Sequence, residues 1–369
     1  MEYKFRTSKL DKLNKKFRKK PYKYVYKEIF PRKVFEKIQK KIYYRTQKKI
    51  AKEWNKVLVD YFENKIEISE ITPKKQIKND KIIWQFWGQG WEYKKLPKVI
   101  KISSSSVKKY KKDCEIYYLD MNNIEEYLKI PKYILEKIEN KKMIYAHFTD
   151  IIRLALLYYY GGIWLDATVL LTDNIPQKYF EMEYFMFQRD DNLKDKKKWE
   201  DFDSVYFSWD KDMRIRVMNS VIFAKKNSKV IKTLLDLLLI FWKDNEKAPK
   251  YFFFQILYYE LMKNYYKKYQ CEIISDTYSH ELMRVWYEKY KEKEFEKIKE
   301  KTILLSYEEM DYLKLQLKET VKRVEEAKQP LKWYQFLQKL RFNFVKKQSE
   351  MALEELGKST VVKEGKKKK

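Results

Sequence analysis

The chain has 369 residues, of which 44% are hydrophobic and 17% aromatic, enough to bury the core of one large domain or of two modest ones. The formal net charge is +29, yet residues 1–56 carry 21 Lys and Arg against five Asp and Glu, and residues 321–369 carry 14 against six. Only +5 is left for the centre of the chain, so a nucleic-acid-binding module, which needs basic residues across its folded surface, is not favoured.

The two ends of the chain are predicted to be basic helical extensions, residues 1–80 and 311–369. Such segments can lie on an anionic membrane surface, with apolar rings at the boundary and each nearby Lys or Arg contributing about 1 kcal/mol. The alternative is an ordinary solvated helix face. No apolar run approaches the ~20 residues that span a bilayer, and the first residues lack the apolar core of a secretory signal. The sequence therefore predicts a cytoplasmic protein that is peripheral on the inner face of the cell membrane.

The two cysteines, Cys114 and Cys271, lie far apart in the sequence and form no metal-binding spacing. Buried free thiols are typical of a reducing cytoplasm. We therefore expect no disulfide in the fold.

From Lys81 onward strand-like and helix-like stretches alternate, which is typical of an α/β sheet covered by helices. The predicted strands are residues 82–86, 115–119, 163–165, 184–188, 220–224 and 272–274. The predicted helices are residues 99–111, 132–139, 146–160, 229–242, 251–266 and 280–293. The polar residues 190–203 are predicted to form a long loop, and loops of that length are often functional or disordered. This pattern predicts a central domain over residues 81–310.

Four of the six glycines stand in two places, Gly88 and Gly90 in IIWQFWGQGWE, and Gly161 and Gly162 in AHFTDIIRLALLYYYGGIWLDATVLLT. The second segment predicts an amphipathic helix that ends at the glycine pair. A short apolar strand follows and delivers Asp166 at its carboxyl end. Ligands of open α/β sheets bind at the carboxyl ends of strands.

This helix, glycine pair and IWLD run, preceded by the D-x-x-R of residues 150–153, resemble the nucleotide-sugar-binding core of DxD-containing glycosyltransferases. The segment is most similar to bacterial capsular polysaccharide synthesis transferases, and more remotely to fungal α-mannosyltransferases and glucosylating clostridial toxins. IIWQFWGQGWEYKKLPKVIKISSSSVKKY resembles the opening strand and helix of the capsule family, and weaker likenesses at MNSVIFAKKNS and SDTYSHEL extend the match over residues 80–310. The resemblance implies an α/β, GT-A-like nucleotide-diphospho-sugar transferase fold with a mostly parallel central sheet.

The chemistry implied by the resemblance centres on Asp166. Sugar transfer from a nucleotide diphosphate needs the charge on the departing phosphate to be stabilised, usually by a divalent cation on a carboxylate. We therefore expect Asp166 to hold Mn²⁺ or Mg²⁺, although it can also simply cap the next turn. Thr168 stands where the DxD pattern has its second carboxylate, so the metal is bound more weakly or has another ligand. His280 is the candidate for that ligand, with an ordinary core or surface histidine as the alternative.

The donor-binding residues implied by the resemblance begin with Asp150 and Arg153, which share one helix face. Taken alone they form a helix ion pair worth a few tenths of a kcal/mol. In the resembled family the matching residues touch the donor sugar and phosphates, so Asp150, Arg153 and Asp166 form the predicted catalytic set. Asn219 and Ser220 are predicted to enter the same donor pocket, together with Gly162.

The first strand and its turn are crowded with aromatic residues. Trp87 is predicted to stack on the nucleobase, and Gly88 to let the backbone approach the nucleotide. Trp84 and Phe86 alternate along the strand and are expected in the core. His147, nearly a turn before Asp150, is expected to be structural.

The sequence thus predicts a glycosyltransferase that moves a sugar from a nucleotide-diphosphate sugar to a growing capsular or other cell-surface polysaccharide. The acceptor is a polysaccharide or a lipid-linked glycan, and Asp203 and Ser204 are the candidates to face it. The family implies retention at the anomeric carbon by same-face displacement, since no dedicated nucleophile is visible. Two alternatives stay open: a transferase that glycosylates a protein, and a basic nucleic-acid-binding protein, although no nucleic-acid partner is expected.

Overall fold

The structure is a computed structural model that describes residues 2–5, 32–171, 174–204 and 206–280. Three predicted segments lie wholly or partly outside these ranges. They are the carboxy-terminal extension, the part of the predicted helix 280–293 beyond His280, and residues 6–31 of the amino-terminal extension.

Helices and strands alternate along the described chain. The helices are α1 (Arg32–Phe62), α2 (Lys98–Tyr110), α3 (Ile124–Tyr127), α4 (Lys132–Glu139), α5 (Tyr145–Tyr160), α6 (Lys178–Glu181), α7 (Lys196–Asp203), α8 (Lys229–Asp244) and α9 (Phe253–Asn264). Short 3₁₀ turns cover Tyr93–Lys95, Lys267–Tyr269 and Tyr278–His280. The strands are β1 (Thr72–Pro73), β2 (Ile82–Phe86), β3 (Glu115–Leu119), β4 (Leu128–Lys129), β5 (Gly162–Leu165), β6 (Tyr184–Gln188) and β7 (Val217–Ala224).

Two predicted elements differ from the structure. Residues 272–274 do not form a strand: the chain meets β6 through a single bridge between Gln188 and Ser275 and then turns away. The predicted loop 190–203 contains α7, which forms because Trp199 and Phe202, three residues apart, lie on one buried face. The Trp199 ring packs 4.7 Å from that of Phe207.

The chain divides by its contacts into two compact units. The first comprises Met1–Asp80, Asn123–Trp164 and Lys178–Asp276. In it β7 lies between β5 and β6 and runs antiparallel to β6. Helix α8 packs against α5, and α9 packs against both α1 and β7. A small antiparallel pair, β1 with β4, completes this unit.

Helix α1 is a packed part of the first unit. Trp54, Val57 and Leu58 on its inner face are fully buried. The Trp54 indole Nε1 donates to the Phe253 carbonyl oxygen at 3.2 Å, and the two rings stack with centroids 6.2 Å apart. The helix predicted near the amino terminus therefore exists, and its Trp54 ring faces protein.

The second unit comprises Lys81–Asn122, Leu165–Gln177 and the chain from Thr277 onward. Its strands β2 and β3 are parallel, in register from Ile82 opposite Glu115 to Phe86 opposite Leu119, with α2 as the crossover. Trp84 is fully buried, which confirms the expectation that it belongs to the core. Since β2 and β3 are parallel while β6 and β7 are antiparallel, the β-structure is mixed, and the predicted mostly parallel sheet is confirmed only in part.

No helix within the described ranges combines the length and apolarity that a bilayer crossing requires. Cys114 and Cys271 are free, as expected. Burial raises the pKa of the Cys114 thiol to about 11.

Candidate functional site

The corner between α5 and β5 explains the glycine pair. Gly161 has φ +74° and Gly162 φ +95°, backbone angles that residues other than glycine rarely adopt. A Cβ on Gly161 would also lie 3.0 Å from the Lys226 main-chain nitrogen. The backbone thus accounts for both glycines without a ligand, and the predicted donor contact of Gly162 stays a prediction.

The predicted pair on α5 is buried. The Asp150 and Arg153 side chains are only 7% and 4% exposed, with Arg153 Nη1 3.3 Å from Asp150 Oδ1. Arg153 also donates from Nε to the Thr149 carbonyl oxygen and from Nη2 to Thr149 Oγ1, both at 3.0 Å. Its guanidinium lies 5.2 Å from the centroid of the Trp164 ring on β5. Burial weakens screening by water and salt, so the interaction energy of a few tenths of a kcal/mol that holds for an exposed helix ion pair does not apply to Asp150 and Arg153.

Asn219 on β7 joins this pair. Its Nδ2 donates to Asp150 Oδ1 at 2.7 Å, and its carbonyl oxygen accepts from Arg153 Nη1. The Gln255 amide on α9 donates to Asn219 Oδ1 at 2.9 Å, while Gln255 Oε1 is buried with no hydrogen-bond partner among the described residues. We call these four residues, Asp150, Arg153, Asn219 and Gln255, the α5 network. Ser220, next along β7, is half-buried.

His147 lies three residues before Asp150 in an aromatic surround. Its ring centroid is 5.3 Å from that of Phe253 and 5.8 Å from those of Trp242 and Tyr251. Burial lowers the pKa of His147 to about 4, so the ring is neutral at pH 7. This packing supports the structural role expected for it.

In the second unit, β2 ends in a turn from Trp87 to Gly90. The Trp87 main-chain N–H donates to the Leu119 carbonyl at 2.9 Å, and the Gly90 N–H donates to the Trp87 carbonyl at 2.9 Å. Gly90, at φ +96°, is the glycine that this turn requires. The half-buried Trp87 and Trp91 pack against one apolar cluster, formed by Leu96, Val99, Ile100 and Ala167.

Asp166 follows β5 directly and is half-buried, while Thr168 is exposed. The Asp166 carbonyl oxygen accepts from the Val169 N–H at 2.8 Å and closes a turn. The Leu171 N–H donates to Ser106 Oγ at 2.9 Å and ties this segment to α2. The structure therefore gives Asp166 the strand-end position that the sequence predicts.

Asp120 is a strand-end carboxylate that the sequence reading missed. It follows β3 directly, is largely buried, and accepts from the Asn122 N–H at 2.7 Å. Its Oδ2 lies 3.8 Å from where a Cβ on Gly90 would stand, so it borders the turn after β2. The sequence did carry a signal for Asp120, because ligands bind at the carboxyl ends of strands and Asp120 follows a predicted strand just as Asp166 does.

The remaining predicted residues lie on short elements. His280 ends the 3₁₀ turn Tyr278–His280, with Nδ1 3.1 Å from Ser279 Oγ. Asp203 ends α7 and accepts from the Tyr206 N–H at 3.1 Å, and Ser204 beside it is exposed. Their predicted metal and acceptor roles stay predictions.

A second buried Arg–Asp pair was not anticipated. Arg189, directly after β6, donates from Nε and Nη2 to the two carboxylate oxygens of Asp276 at 3.0 and 2.8 Å. Its Nη1 donates to the carbonyl oxygens of Tyr206 and Ser208. Both charged side chains are 0% exposed. Partners 87 residues apart leave no local signal in the sequence.

A family profile described as "Capsular polysaccharide synthesis protein" matches residues 32–324, most of the chain. The chain belongs to the capsular polysaccharide synthesis family. Among solved structures it is similar to one described as "PaToxG Glycosyltransferase", with 18% sequence identity, 62% of this chain and 80% of that chain covered, and a TM-score of 0.31. No curated protein sequence matches the chain.

In this capsular polysaccharide synthesis protein, the first unit brings together Asp150, Arg153 and Asn219 of the predicted donor residues. The second unit holds Trp87, Gly88 and Asp166 at the ends of two strands. Within the described ranges, no group of three or more His, Cys, Asp or Glu side chains is placed to hold a metal ion.

Proposed function

We propose that this capsule-family protein is a glycosyltransferase with a GT-A-like fold. It moves a sugar from a nucleotide-diphosphate sugar to a growing capsular or other cell-surface polysaccharide, or to a lipid-linked glycan. The observation that carries the proposal is the α5 network, in which a buried carboxylate and a buried guanidinium are held by amides from two other elements.

The α5 network suits a sugar phosphate for physical reasons. A guanidinium presents donors in a fixed fork that matches phosphate oxygens, and a carboxylate accepts from sugar hydroxyls. Because Thr149 and Asn219 fix the Arg153 side chain, little conformational entropy is lost when a ligand binds. Preorganised charge of this kind also stabilises a transition state most effectively in a water-poor site.

In the proposed reaction the bond between the anomeric carbon and the β-phosphate oxygen breaks, and a bond to the acceptor oxygen forms on the same face. The proton of the acceptor hydroxyl goes to the departing phosphate. Arg153 stabilises the phosphate charge and Asp150 orients the sugar. Trp87 stacks on the base beside Gly88, and Gly162 and Ser220 line the donor. Asp203 and Ser204 face the acceptor.

The test of donor binding compares two buried arginines of the first unit, Arg153 and Arg189. Each is replaced by lysine, which keeps the charge but loses the fork. Loss of a hydrogen bond to a charged group costs about 1.5–3 kcal/mol, so Arg153→Lys is expected to weaken nucleotide-sugar binding about 10- to 150-fold. Binding is measured by the shift in melting temperature across a panel of UDP- and GDP-sugars.

The matched control, Arg189→Lys, also perturbs a buried ion pair and lowers the melting temperature, but it should leave the donor dissociation constant unchanged. Equal loss of donor binding in both variants would mean that the α5 network acts only through stability. No stabilisation of the wild-type protein by any nucleotide sugar would overturn the proposed function.

A divalent cation, Mn²⁺ or Mg²⁺, is the proposed cofactor, held by Asp166 with help from Thr168 and His280. One carboxylate followed by a hydroxyl fits a cation that completes its shell with substrate phosphates and water, as Mg²⁺ usually does. When bound, such a cation would neutralise charge on the departing phosphate.

Two variants test the metal proposal. Asp166→Ala should abolish donor hydrolysis while the protein still folds. Thr168→Asp adds a carboxylate, so its activity should reach half-maximum at a lower Mn²⁺ concentration than that of the wild type, because affinity rises with ligand charge. The measurement is a Mn²⁺ titration of donor hydrolysis after chelation. Equal titrations would show that residue 168 does not face the ion, and wild-type turnover by Asp166→Ala would exclude Asp166 as its anchor.

A further inference from the structure

Helix α1 carries a line of basic side chains along one exposed face. The six residues, spaced three or four apart and all exposed, are Lys37, Lys41, Arg45, Lys48, Lys52 and Lys56. We call them the basic stripe. At 1.5 Å per residue the stripe is about 28 Å long.

The stripe is barely neutralised. Lys56 pairs with Glu53 at 2.8 Å, but among the described residues no acidic side chain lies within ion-pair distance of the other five. Elsewhere in the chain helical lysines do pair at this spacing, for example Lys132 with Glu136 and Lys232 with Asp236. Like charges three or four residues apart destabilise a helix. The stripe therefore lowers the stability of α1, and a surface of opposite charge would relieve that repulsion.

The other face of α1 cannot supply membrane contact. Tyr44, Trp54 and Leu58 are buried against protein. The Tyr44 and Trp54 rings of α1 therefore do not lie at a membrane boundary, and membrane binding by the rest of the amino-terminal region stays a prediction. The exposed face of α1 carries the charged side chains of the basic stripe. Any docking through this face is therefore electrostatic, reversible and sensitive to salt.

We propose that the basic stripe docks the protein on a surface of anionic lipid headgroups. The exposed face of one helix, with long and flexible basic side chains, can meet a planar surface along the length of the stripe. A soluble acidic polymer is better held in a groove, which the outer side of a single helix does not provide. This docking is independent of the transfer chemistry, and it gives the peripheral location predicted from the sequence a defined contact surface.

The test uses co-sedimentation of the full chain with phosphatidylcholine vesicles, with and without phosphatidylglycerol. The stripe variant combines Lys41→Gln, Arg45→Gln and Lys48→Gln. The control combines Lys211→Gln, Lys225→Gln and Lys267→Gln, three exposed lysines on three other segments. Each basic residue near an anionic surface is worth about fivefold in partitioning, so the stripe variant should bind phosphatidylglycerol vesicles about 100-fold more weakly than wild type. The control, with the same change in net charge, should stay close to wild type.

Folding is checked by thermal melting, where removal of like-charge repulsion should leave the stripe variant at least as stable as wild type. Residues 1–31 and 321–369 are identical in both variants, so their own binding cancels in the comparison. Equal vesicle binding by the stripe and control variants would overturn the proposal. So would a stripe-specific loss of binding to dextran sulfate with unchanged binding to vesicles, which would assign the stripe to an acidic polymer.

Discussion

The two buried Arg–Asp pairs of the first unit are built differently. Arg189 and Asp276 meet through two parallel hydrogen bonds, with both side chains 0% exposed and the rings of Tyr206, Phe207 and Trp209 around the guanidinium. Arg153 and Asp150 approach at 3.3 Å through one oxygen, and the Asn219 amide bonds that same oxygen.

The difference distinguishes a closed structural pair from the pair that we propose binds the donor. The Arg189–Asp276 pair directs its donors to protein oxygens and lies away from solvent, so it fixes the chain after β6 to Asp276. The α5 pair retains slight exposure, and the side-chain amides of Asn219 and Gln255 hold it in place. That series of hydrogen bonds ends at Gln255 Oε1, which has no partner among the described residues. Burial of charge alone does not identify a binding site, since the more deeply buried pair is the structural one.

Breaking the closed pair should have the largest effect. Asp276→Ala leaves Arg189 charged and buried without its carboxylate, which typically costs about 3–5 kcal/mol of unfolding free energy. Equilibrium urea unfolding measures the loss. A change below about 1 kcal/mol would mean that water reaches Arg189 and that the pair is not closed.

The pH dependence of stability tests how tightly α5 is packed beside its network. Burial lowers the pKa of His147 from 6.5 to about 4. Between these pH values His147 is therefore protonated in the unfolded chain and neutral in the folded one. The contribution of neutral His147 to the free energy of unfolding is therefore fully present above pH 6.5. It falls by up to about 3 kcal/mol as the pH drops toward 4. His147→Phe should remove this component from the curve of unfolding free energy against pH. Parallel curves for the two proteins would show that His147 is solvated.

The smallest effect is expected at Gln255. Gln255→Leu loses one hydrogen bond to Asn219, worth about 0.5–1.5 kcal/mol, but it also removes a buried unpaired oxygen, so the net stability change should stay below about 1 kcal/mol. Donor affinity should fall several-fold nonetheless, because the Asn219 amide is then free to turn away from Asp150. Gln85→Leu is the matched control, since both amide atoms of Gln85 are buried without hydrogen bonds in the described structure. Gln85→Leu should leave the donor affinity unchanged and should not lower the stability. Identical donor affinities for the Gln255→Leu and Gln85→Leu variants would exclude a positioning role for Gln255.

Much of the fold was predictable because the signals are local. Hydrophobic periodicity placed β2, β3, β6 and α4 at their observed bounds, and the glycine pair marked the end of α5. The spacing of Asp150 and Arg153 put them on one helix face, and the strand-end rule located Asp166.

What the sequence did not reveal depends on tertiary contacts. Gln255 reaches Asn219 across 36 residues, and Arg189 reaches Asp276 across 87, without any spacing rule to connect them. Residues 272–274 have strand-like composition, but a single bridge beside β6 decides their conformation. The burial of α1 was missed for the same reason, because its lysines dominate the composition while Trp54 and Leu58 determine its packing.

The position of α1 also has a consequence for how the protein is made. Trp54 is covered by Phe253, 199 residues later, and the Tyr3 and Phe5 main-chain N–H groups donate to Asp244 and Asn245. A ribosome adding about 5–20 residues per second needs about 10–40 s to supply these partners. During that interval the apolar face of the nascent amino-terminal helix is uncovered and can be bound by a chaperone.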